Sequence, residues 1–315
     1  MAKYGNPIRD MVGYLNNQPN PCWPNGAKIA VQFVVNYEEG AESNILHGDS
    51  CSEKLLSEIV GAESYTDMRN LNMESLYEYG SRVGIWRILD IFTKLNVPAT
   101  AFACSMALER NPSAAVAMVN AGWEIASHGY RWIDYMKVNH ETERNHIEMA
   151  VEIHTKICGT RPLGLYQGKP STNSRRLIVE EGGFLYDSDS YNDELPYWNM
   201  EYGRPHLVIP YTLDANDMRF ATPQGFNTGD QFFTYLKDTF DRLYKEGVNG
   251  SSKMMSIGLH CRLVGRPGRA VALEKFLEYI LSFEKVWIAK RMDIAHHWYK
   301  KFYPLSCTEP LKSTL

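Results

Sequence analysis

Four polar groups stand directly behind apolar runs in this chain: the pair Glu38-Glu39 after KIAVQFVVN, His128 after WEIAS, and His260 after MMSIGL. Two carboxylates and two imidazoles are the parts from which a hydrolytic site is assembled. One carboxylate can activate a water, an imidazole can protonate a leaving nitrogen, and the others can orient substrate or hold a metal. Each group also has a plainer explanation. Glu38 and Glu39 point in different directions near a strand end, so they would take different roles, yet alone they read as a solvated pair at a turn. His128 alone reads equally well as a core histidine bonded to backbone. It is the combination that favours chemistry.

Spacing bears on the question of metal. Two histidines at i and i+4 could clamp zinc from one helical turn, but four places after His128 stands Trp132, whose indole nitrogen has no lone pair to give. One histidine and one carboxylate fall short of the three protein ligands of a catalytic zinc, so no metal site is expected. Trp132 offers instead an apolar face and one N–H donor to a small planar substrate, or else fills core. A metal-dependent site would need Glu39, His128 and a third ligand such as His47 or Asp49. For His260 to act as an acid, a carboxylate must hold its tautomer and keep it protonated. Asp187 and Asp189 in LYDSDSYND are the candidates; turn formation explains Asp187 equally well and Asp189 less so. Cys261 alternates to the opposite side of the strand from His260 and has no base in view. His296-His297 are neighbours within a helix and share no face. His140, His146 and His154 lie on a helix that reads as peripheral.

Positioning these groups requires strands whose ends meet. β-rich runs alternate with helical ones: KIAVQFVVN, ATAFAC, WEIAS, GFLYD, HLVIPYT, MMSIGL and KVWIA, with helices through GSRVGIWRILDIFTKL, NPSAAVAMVNAG and ETERNHIEMAVEIHTKICG between them. That alternation predicts an α/β fold, a distorted (β/α) barrel of about seven parallel strands. In such a barrel Glu38, His128 and His260 share the C-terminal face, where sites are built. Asn111-Pro112 is a helix start and Gly159 a helix stop. Residues 1–27, rich in Pro, Gly and Asn, read as an extended arm, and residues 28–315 as one catalytic barrel domain. Residues 40–73 have weak periodicity and are too long for an ordinary loop, so they are expected to cover the site.

The 315 residues carry a net charge of −4 with no basic cluster interleaved with aromatics, which leaves no electrostatic footprint for nucleic acid. No run approaches the ~18 apolar residues of a membrane span, and the first 26 residues hold no apolar stretch of the secretory kind. The six cysteines lie far apart without a Cys-x-x-Cys pair, as expected of free thiols in a reducing, cytoplasmic compartment. The C-terminal Ser-Thr-Leu lacks the basic residue of a peroxisomal signal.

With those residues in hand, the chain resembles the polysaccharide deacetylase superfamily of the nodulation-protein type, and more closely its cofactor-independent allantoinase branch. Asn36-Tyr37-Glu38-Glu39 resembles the Thr-Phe-Asp-Asp segment, ATAFA the ATFF segment, Gly122 to His128 the GHEIxSH segment, and Leu259-His260 the closing Leu-His. Trp132 stands at the second metal histidine. Leu163 to Gly168 replaces an Phe-Arg-Pro-Pro-Tyr-Gly element, so the arginine that orients the base is gone, with Arg161, Lys169 and Arg175 as candidate substitutes. RDMVGY, QFVVNYEEG, LHGD, SEIVGA, YEYGSR, RPLG, GGFLYDSD, LPYW, IPYTLDANDMRF and IAHHW are similar to segments of the allantoinase branch. The resemblance implies a polysaccharide-deacetylase-like barrel that opens the hydantoin ring of allantoin without a cofactor. In it Glu38 would activate water and His260, supported by Asp189, would protonate the departing nitrogen. Glu39, His128, Trp132, Tyr166 and Trp198 would line the substrate pocket. It also implies a small-molecule substrate and a homo-oligomer, a tetramer. The alternative is a zinc-dependent N-deacetylase acting on chitin or peptidoglycan, against which the missing export segment argues.

Overall fold

The computed structural model describes residues 9–304. The sheet is built around β1 (Ile29–Tyr37), a strand buried along its whole length. Its alternation divides the molecule. Ile29, Val31, Phe33 and Val35 face outward into the main apolar core under the helices. Each such side chain contributes roughly 1.5–3 kcal/mol by leaving water. Gln32, Val34 and Asn36 take the opposite parity and face the inside of the curled sheet, where Val34 meets Phe102, Tyr166 and Tyr211.

Around β1 the order runs β6 (Tyr197–Asn199), β7 (His206–Val208), β5 (Tyr186–Asp187), β4 (Gly164–Leu165), β3 (Glu124–Ser127), β2 (Thr100–Ala103), β1, β8 (Lys253–His260). β9 (Val286–Ile288) pairs with the first residues of β1, and every pairing is parallel except β6 with β7. The seven strands expected from sequence are all present. β4 and β6 are additions, too short to carry a readable period. The result is a curled half-barrel rather than a closed ring.

The crossover helices follow from local signals. α1 (Leu71–Tyr79) passes through a π-helical turn at Gly80–Gly84 into α2 (Ile85–Lys94). Gly80 and Gly84 matter here because a side chain at either would collide with Glu39 or with the Cys261 backbone, so the helix can lie directly on the site's outer wall. α3 (Ser105–Arg110) leads to α4 (Pro112–Asn120), where the Asn111 side chain accepts from Ala114 N, as the Asn-Pro signal predicts. α5 (His140–Cys158) stops at Gly159 in the left-handed conformation. α6 (Ser174–Glu181), α7 (Gly229–Val248), α8 (Pro267–Leu281) and α9 (Arg291–Phe302) complete the outer layer. Arg291, at the start of α9, is fully buried and plugs the barrel, donating to Gln32, Ser188, Ser256 and the carbonyls of Ile209 and Pro210.

Residues 9–27 hold no regular element beyond a 3-10 turn at Pro24–Gly26; residues 1–8 of the expected arm lie outside the described residues. The arm is anchored by Trp23, buried and donating to the Lys253 carbonyl at 3.0 Å. Among the described residues no helix is long and apolar enough to cross a membrane.

Candidate active site

The parity of β1 and β8 aims Glu38 and His260 into one space. Glu38 continues the inward face of Val34 and Asn36, and His260 continues that of Ser256 and Gly258. Both reach a cavity of about 550 Å³, together with His128, Trp132, Tyr166 and Lys169. Lys54, Leu55, Leu56, Ile59, Gly61 and Ala62, within the expected cover segment, form part of its wall.

Glu38 is the centre of the arrangement. Its Oε2 accepts from Arg262 Nη2 at 2.7 Å, while Oε1 lies 3.2 Å from His128 Nε2 and 3.7 Å from His260 Nε2. Burial opposes ionisation, but Arg262, His260 and His128 outweigh it and hold the carboxyl well below the usual range. Glu38 is therefore a carboxylate near neutral pH.

His260 has the complementary state. Its Nδ1 donates to Asp217 Oδ1 at 2.6 Å, leaving Nε2 for the cavity. Burial disfavours the imidazolium, yet Asp217 and Glu38 overcome this and raise its pKa above the ordinary histidine value. Asp217 is itself pinned, because its other oxygen accepts from the backbone N–H groups of His260 and Val264 at 2.8 and 2.9 Å. The segment before it runs beside β8, with Gly258 N donating to the Ala215 carbonyl at 3.0 Å.

Asp217, not Asp189, is thus the carboxylate on His260. Asp189 sits beyond β5, on the far side of β4, β3, β2 and β1 from β8. Its oxygens accept from Gln167 N and Gly168 N at 2.7 and 2.8 Å. Burial and the charge of Asp187 push its pKa up to about 7. Sequence order concealed Asp217 because nothing along the chain says that a turn 43 residues upstream lies alongside β8. The available signal was the Asn-Asp pair of LDANDMRF, a segment already similar to the allantoinase branch.

Other expected residues divide. His128, Trp132 and Tyr166 line the cavity, Tyr166 stacked on Phe102 with ring centroids 4.9 Å apart. Glu39 does not: it takes the opposite parity, packs on Gly80 and lies 3.3 Å from Arg262 Nη1. Burial raises its pKa despite Arg262. Trp198 is also outside, donating to the Phe302 carbonyl at 2.7 Å and packing on Tyr299. The arginine paired with Glu38 is Arg262, two residues after His260. Of the three substitutes expected, Arg161 pairs with Glu181, Arg175 pairs with Asp187, and Lys169 lies in the cavity over Trp132.

Comparison with known proteins fits this arrangement. The polysaccharide deacetylase family model matches residues 73–176. A Schizosaccharomyces pombe protein provisionally named a polysaccharide deacetylase is 44% identical over 313 residues, covering 93% of this chain and 97% of that one. The chain belongs to the polysaccharide deacetylase family. Two solved structures, a probable polysaccharide deacetylase from Pseudomonas aeruginosa and PuuE allantoinase, each match with a TM-score of 0.92 and 57% identity, over 94% of this chain and 99% of theirs.

Of the metal ligands named from sequence, Glu39, His128, His47 and Asp49, only His128 lines the cavity. Glu39 faces away from the cavity, and Trp132 cannot ligate. His47 and Asp49 are both engaged by Arg131. Among the described residues no group of three or more His, Cys, Asp and Glu side chains is arranged to hold an ion.

Proposed function

We propose that this hydrolase opens the hydantoin ring of allantoin to give allantoate, by metal-independent acid–base catalysis. The observation that carries the reading is that Glu38, held on Arg262 and pushed toward its charged form, and His260, held on Asp217 and pushed toward the proton, meet 3.7 Å apart in one small cavity. Two titratable groups whose environments push their proton affinities apart are a base and an acid already assigned. The 57% identity with PuuE allantoinase supports the choice of substrate.

Glu38 takes a proton from water as the oxygen bonds to the ring carbonyl carbon. His260 Nε2 then gives its proton to the ring nitrogen as the C–N bond breaks. Because Arg262 leaves Glu38 with little proton affinity, the captured proton does not stay there. His260, 3.7 Å away and now neutral, is its destination, which restores both groups while the new carboxylic acid ionises. A strained, imide-like carbonyl needs less activation than an acetamide, so acid–base catalysis worth about 10²–10⁴-fold per group suffices without a Lewis acid. The same reading takes the enzyme as a cytoplasmic homo-oligomer of four subunits, a number sedimentation would test.

The decisive experiment is allantoate release by purified protein treated with a chelator and checked for residual metal. Full activity is the expected result. Activity that appears only with added zinc would overturn the metal-free mechanism. Turnover of acetylated amino-sugar oligomers instead of allantoin would replace the substrate with that suggested by the names of the deacetylase relatives.

A further inference from the structure

Adding water to a carbonyl places negative charge on its oxygen, here close to the carboxylate of Glu38. Such a charge needs a donor with capacity to spare. Most donors around the cavity have none. Arg262 donates to Glu38, Glu39 and the Leu56 carbonyl, has its face over Tyr77 and does not line the cavity. Gln167 N and Gly168 N are held by Asp189, and Trp132 N by the Ala41 carbonyl. The Asn36 amide donates to Tyr211 and to the Leu259 carbonyl.

Lys169 differs from all of these. It lines the cavity with Glu38 and His260, and its ammonium rests 3.5 Å from the centre of the Trp132 ring. Among the described residues it has no carboxylate within ion-pair distance and no hydrogen bond from Nζ. Lys54, the other lysine on the wall, is exposed to solvent. The Lys169 backbone is fixed on both sides: Gly168, in the left-handed conformation beside the His128 ring, donates to Asp189, and the Lys169 carbonyl accepts from Tyr135 N at 3.1 Å. A pinned backbone with an uncommitted flexible stem lets the charge move without moving the wall.

We propose that Lys169 stabilises the oxyanion of the tetrahedral intermediate, leaving its resting place on the Trp132 ring to donate to it. The proposal rests on the hydrolytic reading above. The cation–π contact it gives up is replaced by a charge-assisted hydrogen bond to an oxyanion, the stronger class of interaction. Burial lowers the pKa of the ammonium, against the attraction of Glu53 and Glu38, which makes it a stronger donor.

The test is steady-state kinetics of Lys169→Met with allantoin. A transition-state donor predicts kcat lower by about 10²–10³-fold with KM nearly kept. Lys169→Cys guards against misfolding of the first variant. Alkylation with bromoethylamine rebuilds an ammonium of nearly the same length, and iodoacetamide adds a neutral group of similar size. Wild type treated identically controls for Cys22 and Cys51. Recovery of kcat with the amine but not the amide supports the proposal. Equal recovery with both, or Lys169→Met turning over like wild type while Tyr211→Phe does not, overturns it and leaves the allantoin reading standing. Wild-type protein that releases no allantoate overturns the reading and this proposal with it.

Discussion

Two carboxylates in this molecule, Glu38 and Asp187, are each fully buried between an arginine and a histidine, and only one of them faces a cavity. Asp187 accepts from Arg175 Nε at 2.8 Å and Nη2 at 3.0 Å, from His206 Nε2 at 2.9 Å and from Asp189 N at 3.0 Å. Burial opposes its charge, but Arg175 and His206 hold its pKa well below the carboxylate range, as Arg262 and the histidines do for Glu38. The residue types and electrostatics are nearly the same. What differs is saturation. Asp187 spends every lone pair on the protein, whereas Glu38 has a single close arginine contact and leaves Oε1 at longer range, 3.2 and 3.7 Å from two imidazoles, beside open space. A satisfied cluster holds the fold together; a loosely satisfied one beside a cavity can exchange protons.

The contrast is most directly broken at its centre. Glu38→Gln is expected to lower kcat by about 10²–10⁴-fold while the protein still folds and binds substrate. Asp187→Asn with a comparable loss of kcat in folded protein would erase the distinction.

Asp217→Asn comes next, with a loss of about 10²-fold, because His260 would keep its place but lose its preference for the proton. The pH profile sharpens this. Since Asp217 raises the pKa of His260 and the acid must be protonated, activity falls as pH rises through that raised value. In the variant the basic limb should move to lower pH; an unmoved limb would mean that His260 is not the acid.

Asp187→Asn should leave kcat intact and cost stability, about 3–5 kcal/mol in denaturant titration, as for a buried charge that loses its partner. Its folded pKa is depressed, so its contribution is complete above the unfolded value near ~4 and is lost as pH falls below it. Wild type and variant should therefore converge in stability in acid. Trp198→Ala is the smallest change, leaving kcat/KM as it was because the indole lies outside the cavity. A raised KM would restore it to the substrate site.

Much of this was legible in the chain. The period-two pattern and apolar content of seven strand segments, the Asn111 cap and the Gly159 stop each carry their own physical signal, and each is found in the fold. Glu38, His128 and His260 could be picked out because strand ends in a parallel sheet share one face. Glu39 was misplaced because the resemblance put it in the pocket, although the same alternation that aims Glu38 inward turns the next side chain away. Trp198 went wrong because a matched segment says nothing about which way its ring points.

Sequence alone determined the order of the seven readable strands, the family and the residue types able to act as base and acid, because these depend on local pattern and side-chain chemistry. Only the tertiary structure decided their partners. Asp217 reached His260, and Arg262 turned back onto Glu38, through the packing of β8 against its neighbours. Proton affinity inside a protein is set by which charges lie within a few ångströms, and that distance is not written along the chain.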